Sequence, residues 1–509
     1  MRPNVLLITA DQWRGDCLGI ADHPVVRTPN IDRLARSGTW FARHYAQAAP
    51  CGPSRASLYT GLYQMNHRVV RNGTPLDNRH DNIARAMRRA GYAPTLFGFT
   101  DQSADPRTVA ADSPWLRTYE GILPGFDVAV RLPEDVGPWL DWLEARGHRR
   151  PKHFWEIYLP ATGRSDRPTR SPPRYGADET ETAFLAGCFL NWLDSRPAGE
   201  PWFAHVSFLR PHPPFIVPEP FNRLYDAETG PAFRRAASAG EEARQHPLLA
   251  YWHDRIRTDS AFLTPPHDSS APRIAEWGDA DFRLLRAIYW GMISEVDGQI
   301  GRIMDRIDAL GSDTVVILTS DHGEMLGDHW TIGKFGYFDQ AFHVPLIIRD
   351  PRRPGEGRVD AFTEAVDIAP TILELVDAPP ISAADGHSLA SYLEGLAPAR
   401  PRDCVHWEYD FREPATGAAQ AALGLDLDDC ALSVIRDERF KYVHCNGLPP
   451  LLFDLAADPD ELHDVSGEPA YQAVRLDYAE RLLRWRGRHL DRTFSGVLLT
   501  ADGVVDARA

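Results

Sequence analysis

The run Asn4-Val5-Leu6-Leu7-Ile8-Thr9-Ala10 breaks off at Asp11-Gln12, and four later stretches repeat that design. Ala93–Phe99 stops at Thr100 and Asp101, Trp202–Phe208 at Arg210 and His212, Thr314–Thr319 at Asp321 and His322, and Val344–Ile348 at Arg349 and Asp350. Each run is short, β-branched or aromatic-rich, and apolar without alternation. That is how a strand covered on both faces reads, and such strands build parallel sheets flanked by helices. A sheet of that kind places its site beyond the carboxyl ends of its strands, where these polar clusters fall. Helical spacing fills the intervals: Asn30–Ser37 follows Thr28-Pro29, Phe282–Leu310 stops at Gly311, and Val366–Val376 is a shorter amphipathic stretch. Segments 110–180 and 230–280, rich in Pro, Arg and charge, read as long connections or a lid.

After about residue 400 the character changes. Val405–Tyr409, Leu432–Ile435, Phe440–His444 and Leu451–Phe453 are short strands with turn signals such as Asn446-Gly447, and a helix follows over 470–489. The expected class is α/β: a mostly parallel central sheet flanked by helices over 1–400, then a smaller α+β domain over 401–509 containing an antiparallel sheet.

Composition narrows the function. With 43% hydrophobic and 25% charged residues, the 509-residue chain is not disordered. Its net charge of −16 argues against nucleic-acid and anionic-membrane partners, so an anionic substrate would need positive charge built locally. Among 55 basic residues only Lys152, Lys334 and Lys441 are lysines, which makes a lysine inside a motif conspicuous. No segment reaches the ~18 apolar residues of a membrane span, and Val5 to Ala10 is too short for a signal-peptide core. Six cysteines without a close pairing pattern make no disulfide framework. The chain reads as cytoplasmic.

The sharpest motif is Cys51-Gly52-Pro53-Ser54-Arg55-Ala56-Ser57, leading to Leu58-Tyr59-Thr60-Gly61. It reads as a cysteine at the N-terminus of a short helix, where free N–H groups favour anions, with Gly61 as the closing residue. A lone cysteine there is most simply a buried thiol. The motif, however, resembles the Cys-x-Pro-x-Arg maturation signature of the sulfatases in the alkaline phosphatase superfamily. Asn4–Gln12, Thr28–Ala35, Asp321-His322-Gly323-Glu324, Gly333-Lys334, Val344–Ile348, Asp385–Leu389 and Leu452–Leu455 resemble that family's other landmarks, in the expected order.

The resemblance implies an alkaline phosphatase-like fold and a nucleophile made by oxidising Cys51 to formylglycine, for which a formylglycine-generating enzyme is the maturation partner. One hydroxyl of the hydrated aldehyde attacks the ester, and deprotonation of the other expels the product. Asp11, Gln12, Asp321 and His322 are the expected ligands of one divalent cation, with residue 51 completing the shell. Three oxygens and one imidazole favour Mn²⁺, with Zn²⁺, Ca²⁺ and Mg²⁺ as alternatives. Arg55 and Lys334 are expected to stabilise the reacting oxygens, and His212 or Lys334 to protonate the leaving group. The family also implies a homo-oligomer, a dimer or tetramer.

Two departures refine the branch. Gln12 stands where ordinary arylsulfatases resemble Asp, and His322 where they resemble Asn. Phe97-Gly98-Phe99-Thr100-Asp101 stands where many have Gly-Lys-Trp-His. Asp-Gln, Asp-His and Arg71–Asp77 look more like the phosphonate monoester hydrolase/phosphodiesterase branch, in which Asn72, His212 and Lys334 would contact substrate oxygens. Phe99 and Asp101 are unusual even there. Asp101 has three readings: a turn cap, a base beside the diol, or a contact for a cationic group. The expected substrate is a small anionic ester, a phosphonate monoester or phosphate diester with sulfate monoesters as side substrates. The alternatives are a dedicated sulfatase for aryl or choline-like sulfates and, outside catalysis, an unconverted anion- and metal-binding protein. Trp13, Trp330 and Phe335 are the candidate walls of an aromatic pocket.

Overall fold

The computed structural model describes residues 2–506, apart from 134, 164, 198, 259–270, 356, 399–400 and 492. Its strands are β1 (Asn4–Ala10), β2 (Thr39–Tyr45), β3 (Ala48–Ala49), β4 (Pro94–Gly98), β5 (Asp127–Arg131), β6 (Phe203–Phe208), β7 (Thr314–Thr319), β8 (Leu346–Arg349), β9 (Gly357–Glu364), β10 (Val405–Asp410), β11 (Ala431–Arg436), β12 (Phe440–Cys445), β13 (Leu451–Asp454), β14 (Val497–Thr500) and β15 (Gly503–Asp506). Eight form the central sheet, in the order β5-β4-β6-β1-β7-β8-β2-β9. Neighbours run parallel except around β8, which is antiparallel to both β7 and β2.

The absence of alternation in the apolar runs now has its cause. Leu6, Ile8, Val206, Val316 and Leu318 point into one core beneath the sheet, while Val5, Leu7, Phe203, Val315 and Ile317 point into another above it. The long helix Asp279–Leu310 buries Ile288, Met292, Val296, Ile300 and Ile303 in the first core. Ile83–Arg89 and Ile368–Leu375 cover the second. Because β1 lies parallel to both β6 and β7, with Ile8 opposite Val206 and Leu318, the residues that follow all three strands emerge at one edge of the sheet.

A second sheet, β13-β12-β11-β10-β3, is antiparallel except where β10 meets β3. The last strand lies just ahead of Cys51, so this C-terminal sheet is stitched directly to the region of the motif. Lys441 of β12 makes a second tie. Its fully buried ammonium lies between Asp339, at 2.5 Å, and Glu461, and donates to the Tyr337 carbonyl at 3.2 Å. Among the described residues no helix is long and apolar enough to cross a membrane. All six cysteines are free thiols.

Lys441→Met would leave the buried Glu461 carboxylate without its cation and Asp339, half-buried, with Arg436 alone. Such a loss costs about 3–5 kcal/mol, so the denaturant midpoint is expected to fall accordingly; an unchanged midpoint would show that the tie carries no stability.

Candidate active site

Cys51 opens the helix Cys51–Thr60, every residue of which is buried. Gly61 ends it at φ +70°, a conformation that suits glycine. At the other end the Gly52 N–H, which has no intrahelical partner, donates to Asn72 Oδ1 at 2.8 Å. Asn72 therefore fixes the helix start that carries the cysteine.

Four ligand-type side chains converge there. One atom each from Asp11, Cys51, Asp321 and His322 lies within 4.8 Å of all the others. His322 Nδ1 donates to the Gly323 carbonyl at 3.1 Å, which leaves Nε2 as the lone-pair nitrogen, 3.2 Å from Cys51 Sγ and 3.6 Å from Asp11 Oδ1. Burial, with Asp321 opposing it, holds that imidazole at a pKa of about 3, so it is neutral. Gly323 sits so close to the neighbouring loop that a Cβ would lie 2.1 Å from the Gln340 carbonyl oxygen, which accounts for a glycine after the histidine.

The two carboxylates strain against one another. Burial, then the charge of Asp321, pushes the Asp11 carboxyl well above its ordinary range. Burial also opposes ionisation of Asp321, but surrounding positive charge, Arg55 and Lys334 included, holds it below that range. Two facing carboxylates, a neutral imidazole and residue 51 are a donor set that fits a divalent cation. Cys51 itself is no activated thiol: burial and Asp11 push its pKa well above the usual value.

Gln12 and Lys334 complete the floor. Gln12 takes φ +67°, and its Oε1 accepts from Lys334 Nζ at 2.7 Å. Lys334 Nζ also lies 3.4 Å from Cys51 Sγ. Burial works against this ammonium, yet Cys51, Asp11 and Asp321 outweigh it and hold the lysine pKa above its ordinary value. The residue that sets this geometry is Glu324, named above only as part of a motif. It accepts from Gln12 Nε2, from the Gly333 N–H at 2.6 Å and from the Leu326 N–H at 3.0 Å. Glu324 thus turns the Gln12 oxygen toward the site and seats the turn that presents Lys334. Its sequence signal was its position in Asp321-His322-Gly323-Glu324.

Arg55 lies elsewhere than expected. It is absent from the cavity wall, and its guanidinium sits behind the carboxylates, donating to Asp321 Oδ2 at 2.9 Å and Asp11 Oδ2 at 3.1 Å. In front of them opens a cavity of about 270 Å³. Asp11, Gln12, Cys51, Asn72, His212 and Lys334 line its polar end, together with Phe99 and Asp101. Phe99 also stacks on the Arg55 guanidinium at 4.2 Å, and Asp101, at φ +52°, lies 3.8 Å from Arg55 Nε. His212 Nδ1 donates to the Pro213 carbonyl at 2.7 Å, and burial followed by Lys334 drives its pKa well below the histidine range.

The apolar wall comes largely from the segment read as a lid: Tyr119, Leu132, Pro133, Phe154, Trp155 and Tyr158, with Phe335 opposite. Of the three aromatics expected there, only Phe335 is present. Trp13 is buried and donates to the Cys17 carbonyl, and Trp330 donates to the Ala236 carbonyl.

Comparison with known proteins agrees with this geometry. The sequence model of the Sulfatase family matches residues 3–378. The chain belongs to the sulfatase family. A second model, N-sulphoglucosamine sulphohydrolase, C-terminal, matches residues 327–488. The phosphonate monoester hydrolase of Agrobacterium radiobacter superposes with a TM-score of 0.96 at 52% identity, covering 100% of both chains. That of Silicibacter pomeroyi gives 0.92 at 38% identity, over 100% of this chain and 99% of the other. A relative from Trinickia caryophylli, the multifunctional alkaline phosphatase superfamily protein PehA, is 40% identical over 97% of each chain. This sulfatase-family chain therefore has the alkaline phosphatase-type fold expected of it.

Glu324→Gln keeps the shape but offers an amide to the Gln12 amide. Outer-shell partners of this kind are worth about 10–100-fold in metal affinity, so Mn²⁺ binding measured calorimetrically is expected to weaken by that factor. Unchanged affinity would mean that Gln12 needs no such support.

Proposed function

We propose that the chain is a metal-dependent hydrolase of phosphonate monoesters and phosphate diesters that also accepts sulfate monoesters, with formylglycine made from Cys51 as its nucleophile. The observation that carries this reading is the joint placement of Cys51 at a buried helix start, against Asp11, Asp321 and His322, and at the floor of the cavity. Its likeness to the two phosphonate monoester hydrolases supports the choice of ester. A dedicated sulfatase is the second reading, supported by the family itself.

A divalent cation held by Asp11, Gln12, Asp321 and His322 would supply Lewis acidity, and the aldehyde at position 51 would supply a geminal diol as nucleophile. The encoded side chains do the rest. Asn72 and the helix start orient residue 51, and Arg55 positions both carboxylates without touching substrate. Lys334, beside residue 51, faces the oxygens on which negative charge grows. It is also the better proton donor to the leaving oxygen, because its raised pKa keeps it charged, whereas His212 is neutral. His212 then serves as a hydrogen-bonding contact. Asp101, sharing the cavity with Cys51, is the base that takes a diol proton.

Conversion of Cys51 lightens its peptide by about 18 Da, and specific activity is expected to rise in step with the modified fraction on co-expression with a formylglycine-generating enzyme. Cys51→Ala with wild-type turnover would end the proposal. On fully converted enzyme, kcat/KM for a phosphonate monoester above that for an aryl sulfate favours the first reading, and the reverse order the second.

The pH profile separates the two candidate donors. A raised lysine pKa means that the ammonium is present at low pH and lost only as pH rises above the ordinary lysine value. With Lys334 as donor, kcat for a substrate with a poor leaving group stays level up to pH 9, whereas a decline that sets in below the ordinary histidine value, as pH rises, would point to His212 instead. Asp101→Asn is expected to lower kcat at least ~100-fold for every ester class alike, as loss of a general base does. A rise in KM confined to cationic substrates would make Asp101 a recognition residue, and unchanged kinetics would make it a turn cap.

A further inference from the structure

Three prolines in Arg210-Pro211-His212-Pro213-Pro214 remove three backbone donors, so the loop that presents His212 depends on a side chain to hold it. Arg210 is that side chain. Its Nη1 donates to the His212 carbonyl at 3.0 Å and to the Pro214 carbonyl at 2.5 Å. On its other side Arg210 Nε meets Glu181 Oε1 at 2.5 Å, and both residues are buried. The second oxygen of that carboxylate, Oε2, accepts from the Tyr158 hydroxyl at 2.6 Å. Tyr158 belongs to the apolar wall of the cavity, and its ring centroid lies 4.9 Å from Arg210 Cζ. Glu181 itself stands on the framework. It opens the helix Glu181–Asp194, whose N-cap Thr180 donates through Oγ1 to Glu295 Oε1, on the long helix Asp279–Leu310, at 2.6 Å. Neither Glu181 nor Arg210 lines the cavity.

We infer that Glu181 is a positioning residue for both ends of the cavity: through Arg210 it seats the loop of His212, and through Tyr158 it seats the wall. The inference rests on the proposed function for the role of His212 as a contact to substrate oxygens. The residue types fit a division of labour that a simple core ion pair would not need. An arginine fork reaches the carboxylate on one side and two carbonyls on the other, whereas an ammonium would serve one side or the other. A phenylalanine would fill the wall as well as Tyr158 does, so the hydroxyl is there for the tether. Burial, then Glu181, pushes the phenol pKa well above its ordinary value, so that hydroxyl stays a donor. The hold on the substrate oxygens and the shape of the wall thus share one anchor. That anchor is fixed to helices and not to the loops it seats.

The test measures binding of methylphosphonate and phenylphosphonate to the full, Mn²⁺-loaded chain by calorimetry, beside kcat/KM for the corresponding monoesters. Arg210→Lys keeps a charge for Glu181 and loses the reach to the two carbonyls. Both anions are then expected to bind about ten-fold more weakly, as much as His212→Ala alone weakens them. In a His212→Ala background Arg210→Lys should add nothing, because residues that act as one unit are not additive. Tyr158→Phe should weaken phenylphosphonate about three-fold and leave methylphosphonate, which does not reach the wall, unchanged. Glu181→Gln should show both losses together with unchanged near-UV circular dichroism. Where Glu181→Gln does not fold, the other two variants decide, since each breaks one of its links and keeps the carboxylate. Full additivity of Arg210→Lys with His212→Ala would overturn the inference, as would a Tyr158→Phe loss that is absent or equal for both anions. So would a wild type that binds neither anion. Wild-type binding without hydrolysis of any ester would instead end the proposed function, and the binding comparison would still decide the role of Glu181.

Discussion

The Arg55 guanidinium holds the ends of four neighbouring strands at once. It donates to the Phe99 carbonyl after β4, to Ser207 Oγ on β6 at 2.8 Å, to Asp11 after β1 and to Asp321 after β7. Those strands are adjacent in the sheet, in that order. A planar five-donor fork can satisfy such divergent acceptors, and an ammonium cannot, so arginine rather than lysine belongs at this position. Its charge also allows two carboxylates to be buried side by side before any cation arrives. The nucleophile helix is tied to the same fork, because Arg55 lies one turn beyond Cys51 and draws the helix onto the strand ends.

The rest of the site is layered on that brace. The backbone after Asp321 is clamped to the segment 340–341, with Gly323 N–H donating to the Ala341 carbonyl and Glu324 N–H to the Gln340 carbonyl. Segment 337–339 is held in turn by Lys441 from the second sheet. The C-terminal sheet therefore supports the histidine and lysine loops from behind, while β3 supports the cysteine. In a chain of net charge −16, Lys334 brings its ammonium to the cavity beside residue 51, where Asp11 and Asp101 also stand. Glu324 shows how closely that is managed: one carboxylate orients the neutral Gln12, and Gln12 in turn receives the ammonium of Lys334.

The sequence was legible where physics demanded a strong signature. Strands buried on both faces show as unbroken apolar runs, so β1, β4, β6, β7 and β8 could be read, and their polar ends marked the site. Strand direction leaves no such trace, and β8 runs antiparallel to its neighbours. Edge strand β9 and its neighbour β2 carry Arg43, Arg358 and Asp360 among apolar residues, and β5 has three exposed residues, so none reads as a buried run. Arg55 was identified, but its direction was not. A motif fixes which residues are present, whereas the partners of a guanidinium depend on which strands surround it. Phe154, Trp155 and Tyr158 lie in a 3₁₀ turn without periodicity and could not be assigned to the cavity.

That last failure separates two kinds of information. On the proposed function, the polar floor would recognise what these ester classes share, a tetrahedral centre with anionic oxygens, and it is encoded in short motifs at strand ends. Such a floor discriminates weakly between phosphorus and sulfur esters of equal charge, since the same donors and the same cation suit both. On the same proposal, discrimination among alcohols would fall to the wall formed by Tyr119, Leu132, Phe154, Trp155 and Tyr158, where apolar contacts are worth about 1–3 kcal/mol for a methylene gained or lost. Because that wall is built on connecting segments and not on the sheet, it can change without disturbing Arg55 or the ligand cluster. A chain built this way keeps its chemistry fixed by the fold and leaves its choice of substrate to residues that carry no motif.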